Sequence, residues 1–357
     1  MENLVIPSPA FWSGKRVLLT GDTGFKGSWL ARWLGRLGAE VNGLALPPAT
    51  QPSLFELSAG RRSHTPHHVD IRDAALVRQL IAETRPQIVF HLAAQALVRA
   101  SYDDPLATYA TNVQGTANLL DALRDAPDVK VAVCVTTDKV YANREHPYPY
   151  REDDPLGGHD PYSASKAASE LVIASYRQAF LENAGIAVAS ARAGNVIGGG
   201  DWAADRIIPD AIRAWQNGQP LRIRNPAAIR PWQHVLEPLA GYLLLARHLW
   251  EHPEAAGAFN FGPRTDEAAT VQQLVTCAQA AFPNARASFD TGHNGPHEAG
   301  WLALEIAKAR HVLGWHPRWS VQQAVERTMD WYRAWQNGAD PVALCDADIA
   351  AYERQCM

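Results

Sequence analysis

Val17-Leu18-Leu19-Thr20-Gly21-Asp22-Thr23-Gly24-Phe25-Lys26-Gly27 carries a short apolar run straight into three glycines spaced three apart, and residues 28–37 beyond them have a helical pattern. Glycines permit the tight turn, let the backbone approach a bound group and let helix pack on strand. The free N–H groups of the helix's first turn then face an anion. Such spacing also occurs in ordinary strand-to-helix turns. Placed on the first strand of a βαβ series, it reads as the pyrophosphate turn of a dinucleotide site.

Outward from this turn, residues 16–20, 41–46, 87–93, 129–136 and 187–193 read as strands alternating with amphipathic helices. Near-continuous apolar strands with helical crossovers predict an α/β fold, a doubly wound parallel Rossmann sheet with a smaller, mainly C-terminal substrate-binding lobe. After Asn195 the sequence becomes rich in glycine, proline and tryptophan, at residues 198–202 and 225–232, and residues 258–262 read as a late strand returning to the sheet. The division expected is an NAD-binding unit over 12–194 with 234–262 returning to it, a nucleotide-binding lobe over 195–233 and 263–335, and a tail over 336–357 with no assigned role.

The 357 residues are 47% hydrophobic, with a net charge of -4. That lacks the basic excess of a nucleic-acid surface and holds no apolar stretch of membrane-spanning length, so neither nucleic acid nor membrane is an expected partner. Residues 1–10 lack the basic start and apolar run of a signal peptide, which makes the cytoplasm the expected compartment. Cys134, Cys277, Cys345 and Cys356 form no pair or cluster with metal-ligand spacing, and no metal is expected.

The second strand of a dinucleotide fold usually ends in a carboxylate that holds the ribose, whereas here it ends Leu44-Ala45-Leu46-Pro47. NAD is the favoured cofactor over NADP, although Arg61 and Arg62 lie within reach of a 2′-phosphate in principle. Asp70-Ile71 reads equally as an adenine bracket or as a solvated turn before a helix.

Tyr162 and Lys166 stand four residues apart at the start of a helical stretch over 163–183, on one face. An ammonium beside a phenol lowers the phenol pKa toward neutrality and can also bind a nicotinamide ribose. A surface Tyr-x-x-x-Lys is common, but behind the glycine turn this pair reads as catalytic. The fifth strand ends Val135-Thr136-Thr137-Asp138-Lys139, and the fourth ends His91-Leu92-Ala93-Ala94-Gln95. Both open onto the carboxyl edge of a parallel sheet, where ligands bind.

With these motifs in order, together with Asn112 in Tyr109-Ala110-Thr111-Asn112-Val113, Pro161-Tyr162-Ser163-Ala164-Ser165-Lys166 and Arg192-Ala193-Gly194-Asn195-Val196, nearly the whole chain resembles the extended short-chain dehydrogenase/reductases that modify nucleotide sugars. Thr137-Asp138-Lys139 departs from the Thr-Asp-Glu of dehydratases acting on dTDP-glucose and GDP-mannose. It is similar to the form found in dehydratases acting on CDP-glucose, as are Gly198-Gly199-Gly200-Asp201-Trp202 and Arg230-Pro231-Trp232-Gln233-His234-Val235.

The resemblance implies a lyase of deoxysugar and O-antigen biosynthesis that turns CDP-D-glucose into CDP-4-dehydro-6-deoxy-D-glucose and water, with hydride passing from C4 to C6 through NAD. It implies Thr137, Asp138, Lys139, Tyr162 and Lys166 as catalytic groups, Tyr162 taking the 4-hydroxyl proton and Asp138 serving as acid for the departing 6-hydroxyl. Lys139 is either the C5 base, if burial keeps it neutral, or an electrostatic stabiliser of the enolate. Cofactor contacts are expected from Gly21, Thr23, Gly24, Phe25, Lys26, Gly27, Asp70, Ile71, Leu92, Ala93, Ala94 and Asn112, besides Tyr162 and Lys166. Substrate contacts are expected from Gln95, Asn195, Arg206, Arg230 and, with less weight, His297 beside Glu298.

The resemblance also implies a homodimer through helices over 105–123 and 163–183. An epimerase or reductase would share the turn and Tyr162/Lys166 without needing Asp138 and Lys139. A dehydratase for another nucleotide and a non-catalytic NAD-binding module are the other readings.

Overall fold

Val131-Ala132-Val133-Cys134-Val135 are all buried, as a strand covered on both faces requires. The computed structural model describes residues 6–282, 284–289 and 300–354. It sets this strand, β5, in a seven-stranded sheet with β1 (Arg16–Thr20), β2 (Glu40–Ala45), β3 (Thr65–His68), β4 (Ile88–His91), β6 (Ala187–Ala193) and β7 (Ala258–Phe261). Every neighbouring pair is parallel and the order is β7-β6-β5-β4-β1-β2-β3. The chain builds outward from β1 through β2 to β3, then returns past β1 to add β4 to β7. The order therefore reverses between β1 and β4, the crevice where open α/β sheets bind ligands.

Period-two alternation divides the strands between two cores. Val17, Leu19, Phe90, Val131 and Val133 face the helix α1 (Phe25–Arg36) on one side. Leu18, Val89, Ala132 and Val188 face α2 (Ala74–Thr84), α3 (Gly115–Leu123) and α4 (Pro161–Tyr176) on the other. The helical stretch expected over 105–123 is interrupted by a π turn at Ala110–Gln114, and that over 163–183 starts at Pro161 and passes into a second π turn at Arg177–Leu181.

Beyond β6 the described residues form three small two-stranded pairings, including Val196–Ile197 with Gln233–His234 and Ile229–Arg230 with Ala269–Thr270. It crosses back through α5 (Leu236–Glu251) to β7, which pairs with β6 as the sequence predicts. The segment with no assigned role forms α6 (Pro341–Arg354), a buttress on α1. There Asp346 pairs with Arg32, Trp33 donates to Glu353 Oε1 at 2.9 Å, and the Tyr352 hydroxyl donates to the buried Glu237 carboxylate at 2.6 Å.

Candidate active site

The glycine turn leaves β1 with Gly21 at φ +79°, in the left-handed region that disfavours side chains. A Cβ on Gly21 would lie 2.8 Å from the Ala93 nitrogen, and one on Gly27 would lie 2.0 Å from the Gly21 carbonyl oxygen. Gly24 caps α1 without a side-chain hydrogen bond, so the first-turn N–H groups remain available to an anion. Gly21, Thr23, Gly24, Phe25, Lys26 and Gly27 all line a cavity of about 1000 Å³ that reaches across the carboxyl ends of the strands. These residues fit a dinucleotide pyrophosphate, since the backbone closes to a spacing that no side chain would permit.

The β4 side of the cradle is held by buried polar groups. Thr20 Oγ1 accepts from the Leu92 and Ala93 N–H groups at 3.1 and 3.0 Å and pairs with His91 Nδ1 at 2.7 Å. His91 Nε2 meets Thr116 Oγ1 at 3.0 Å, and burial drives the imidazole down to about 3. His91 is therefore a neutral tie between β1, β4 and the helix behind them. Leu92, Ala93 and Ala94 reach the cavity wall.

At the far end Asp70 is gripped by Arg72, whose Nε lies 3.0 Å from both carboxylate oxygens, and this holds Asp70 below the usual carboxylate range. Ile71 is buried against Gly115, and both Asp70 and Ile71 line the cavity. Where the expected ribose carboxylate is missing, Thr23 Oγ1 donates to the Leu46 carbonyl at 2.9 Å. Arg61 and Arg62 are engaged elsewhere: Arg61 pairs with Asp340, and Arg62 stacks 3.8 Å from the Phe55 ring centroid. Neither lines the cavity.

The catalytic candidates converge from β5 and α4. Asp160 caps α4 and Pro161 opens it, placing Tyr162 in the first turn, where its own N–H donates to Ser101 Oγ at 3.1 Å. Burial pushes the Tyr162 phenol up to about 12, against a hydrogen bond with Thr137 that pulls the other way. This corrects the expected depression by Lys166. One turn on, Lys166 donates to the Val135 carbonyl at 3.3 Å, and burial takes its ammonium down to about 8.

Thr137 Oγ1 donates to Asp138 Oδ1 at 2.9 Å, and Lys139 Nζ lies 3.5 Å from the same oxygen. Asp138 is fully buried with Oδ2 unpartnered. Lys139 is an ion-pair partner with its side chain 30% exposed, whereas the base reading calls for burial.

Lys26 brings another cation close to these groups. Burial lowers it to about 7, aided by Arg206 and opposed by Asp138.

Two expected contacts are spent inside the protein. Asn112 is buried and does not line the cavity; its amide bonds the Gln95 N–H at 2.8 Å, the Gln95 carbonyl at 3.0 Å and Ser165 Oγ at 2.8 Å. It shapes the loop after β4. Gln95 lines the cavity, but its amide is tied to Leu97 and Thr108.

In the second half Asn195, Arg206 and Arg230 line the cavity. Asn195 Oδ1 is buried without a partner, and Arg206 is held by Asp201 at 3.0 Å. His297 and Glu298 lie outside the described residues. Sequence reasoning missed Arg99, Arg222 and Arg224, which also line the cavity; Arg99 pairs with Asp205 at 3.2 Å. The alternation Leu221-Arg222-Ile223-Arg224 is the local signal for the last two. Among the described residues no three His, Cys, Asp or Glu side chains are placed to hold a metal ion, and no helix is long and apolar enough to cross a membrane.

A parallel sheet reversing at β1/β4, a glycine cradle and a tyrosine–lysine helix at its carboxyl edge define an extended short-chain dehydrogenase/reductase fold. The family model for GDP-mannose 4,6-dehydratase matches residues 18–328, and the chain belongs to that family. A CDP-glucose 4,6-dehydratase of Salmonella typhimurium is 48% identical over 348 residues, covering 96% of this chain and 97% of that protein. The structure of a dTDP-glucose 4,6-dehydratase from Streptomyces venezuelae, with NAD and TYD bound, superposes with a TM-score of 0.75 at 27% identity, covering 92% and 99% of the two chains. A UDP-glucose 4-epimerase from Thermotoga maritima gives 0.79 at 21% identity, covering 90% and 99%, a likeness of fold.

Proposed function

We propose that this chain converts CDP-D-glucose to CDP-4-dehydro-6-deoxy-D-glucose and water. The observation that carries the reading is Thr137-Asp138-Lys139 folded against Tyr162, with the buried Asp138 Oδ2 unpartnered. The 48% identity to a CDP-glucose 4,6-dehydratase supports the same conclusion and the choice of nucleotide. NAD, held at the glycine turn, would take hydride from sugar C4 and return it at C6, leaving no net redox change.

Tyr162, hydrogen-bonded to Thr137, takes the 4-hydroxyl proton. Its phenol is high in the protein alone, so the transfer needs positive charge beside it, which Arg206 supplies and Lys166, one turn along α4, adds to. The 4-ketone acidifies C5, whose proton passes to water as the enolate forms, and the 6-hydroxyl then leaves as water with a proton from the Asp138 carboxyl. Asp138 serves the departing hydroxyl through Oδ2. Lys139, anchored by Asp138, stabilises the enolate by its charge. Arg206 and Arg230 hold the diphosphate, with Asn195 on the sugar.

Incubation with CDP-glucose is expected to raise the alkaline absorbance of a 4-keto-6-deoxy sugar without net NADH. Steady NADH accumulation or an unchanged substrate overturns the reading, and preference for dTDP-, GDP- or UDP-glucose in competition overturns the nucleotide.

The reading divides the chain into a Rossmann unit over 12–194, with 234–262 returning to it, and a nucleotide-sugar-binding lobe over 195–233 and 263–335; the pairing of β7 with β6 supports that return. The protein works in the cytoplasm as a homodimer through α4 and the helices before α3. Support comes from apolar side chains exposed there: Leu106 at 80%, Leu171 at 63% and Phe180 at 42%. Replacing Leu106 and Leu171 with Asp should yield monomer by sedimentation; an unchanged mass contradicts the interface.

A further inference from the structure

Tyr162, Lys166 and Glu170 recur every four residues along α4, so all three face the sheet. Glu170 is buried and makes four hydrogen bonds with its two oxygens. Oε1 accepts from Thr136 Oγ1 at 2.5 Å and from Arg192 Nε at 2.9 Å; Oε2 accepts from Ser190 Oγ at 2.7 Å and from a second Arg192 nitrogen at 2.9 Å. The Glu170 and Arg192 side chains are each 4% exposed, and their fork is bidentate. The remaining Arg192 nitrogen donates to the Tyr141 hydroxyl and the Glu152 carbonyl, both at 2.9 Å. Tyr141 in turn donates to Asn260 on β7 at 2.7 Å.

One carboxylate therefore joins the catalytic helix to the end of β5, to β6 and, through Arg192, to β7. Its contact on β5 is Thr136, the residue before Thr137. Lys166 binds the same strand end one residue earlier, at the Val135 carbonyl. Two consecutive helical turns thus clamp the strand on which Thr137 meets Tyr162.

We infer that Glu170, locked by Arg192, is a positioning residue for proton transfer at the sugar 4-hydroxyl, fixing the register of Tyr162 on Thr137 and setting a buried carboxylate one helical turn from Lys166. Besides Glu170 on α4, the charged and titratable groups acting with Lys166 come from three elements: Cys134 on β5, His91 on β4 and Lys26 at the glycine turn. Glu170 is the carboxylate in this set. Its charge opposes the desolvation that lowers Lys166, while the Arg192 fork holds Glu170 below the usual carboxylate range despite its burial. The inference rests on the dehydratase reading. It is tested only against an active parent enzyme, so its failure is separable from failure of that reading.

Removing Glu170 alone would strand the Arg192 charge, so the pair is replaced together as Glu170→Gln with Arg192→Gln. In a folded, NAD-loaded double variant the account expects kcat about 10-fold or more lower, KM within about 2-fold, and the alkaline limb of the kcat–pH profile moved to lower pH as Lys166 loses its proton earlier. Glu170→Asp keeps the charge and should keep that limb near its parent position. Thr136→Val, which leaves the ion pair intact, should lower kcat several-fold with the limb unmoved. A double variant with parent kcat and profile overturns the inference. If that variant does not fold, Thr136→Val at parent kcat overturns it.

Discussion

An alanine at position 27 would bring its methyl to 2.0 Å from the Gly21 carbonyl oxygen, 2.7 Å from the Gly21 carbonyl carbon and 2.8 Å from Asp22 Cα. All three are backbone atoms, so no side chain can swing aside. Reaching ordinary carbon contact at about 3.5 Å means opening the turn by roughly 1.5 Å. Overpacking of this kind costs about 1–3 kcal/mol, and if the opened turn is what NAD must close again, its affinity falls roughly 5- to 150-fold. Calorimetric titration of NAD into Gly27→Ala, with thermal unfolding of the NAD-free protein alongside, measures both shares. Gly60→Ala is the control, since its methyl would meet nothing within 4 Å. Parent NAD affinity at parent Tm in Gly27→Ala would refute the close-approach argument.

Tyr162→Phe should lower kcat about 10²- to 10⁴-fold with bound NAD unchanged, read by product absorbance and cofactor content. A Asp138→Asn, Lys139→Met cycle should show coupling of about 1 kcal/mol in activation free energy, modest because Lys139 is partly exposed; additive losses would separate their roles. Glu237 predicts a pH dependence of stability, because burial raises its carboxyl to about 7 whereas in the unfolded chain it ionises near about 4.3. As pH rises the unfolded chain loses this proton first, so stability falls between those values by on the order of 3 kcal/mol and levels above 7. Glu237→Gln should remove that component when Tm is compared with the parent from pH 4 to 8, and identical curves would contradict it.

The glycine turn and the flanks of β1 and β6 were legible because local chemistry dictates them: apolar strands, a glycine spacing and a helix pattern in immediate succession. The carboxyl-edge position of Thr137 and Tyr162 followed from parallel topology. What stayed hidden depends on partners far away in sequence. Nothing local says that Asn112 spends its amide on Gln95 and Ser165, or that Arg61 turns to Asp340.

Burial was the other hidden quantity, and it reversed the expected direction for Tyr162. A lysine four residues along suggests a lowered phenol, but Lys166 binds the Val135 carbonyl and desolvation dominates. The missing ribose carboxylate is likewise only half resolved by sequence. The structure puts Asp70 and Thr23 on the cavity wall at that end, with Asp70 already held by Arg72.

The most direct test follows the hydrogen on sugar C4. CDP-glucose carrying deuterium there, turned over in ordinary water with unlabelled NAD bound, should give product with that deuterium at C6. Deuterium returned to C4 of a sugar that keeps its 6-hydroxyl, accumulated in free cofactor or lost to solvent would contradict a 4,6-dehydratase.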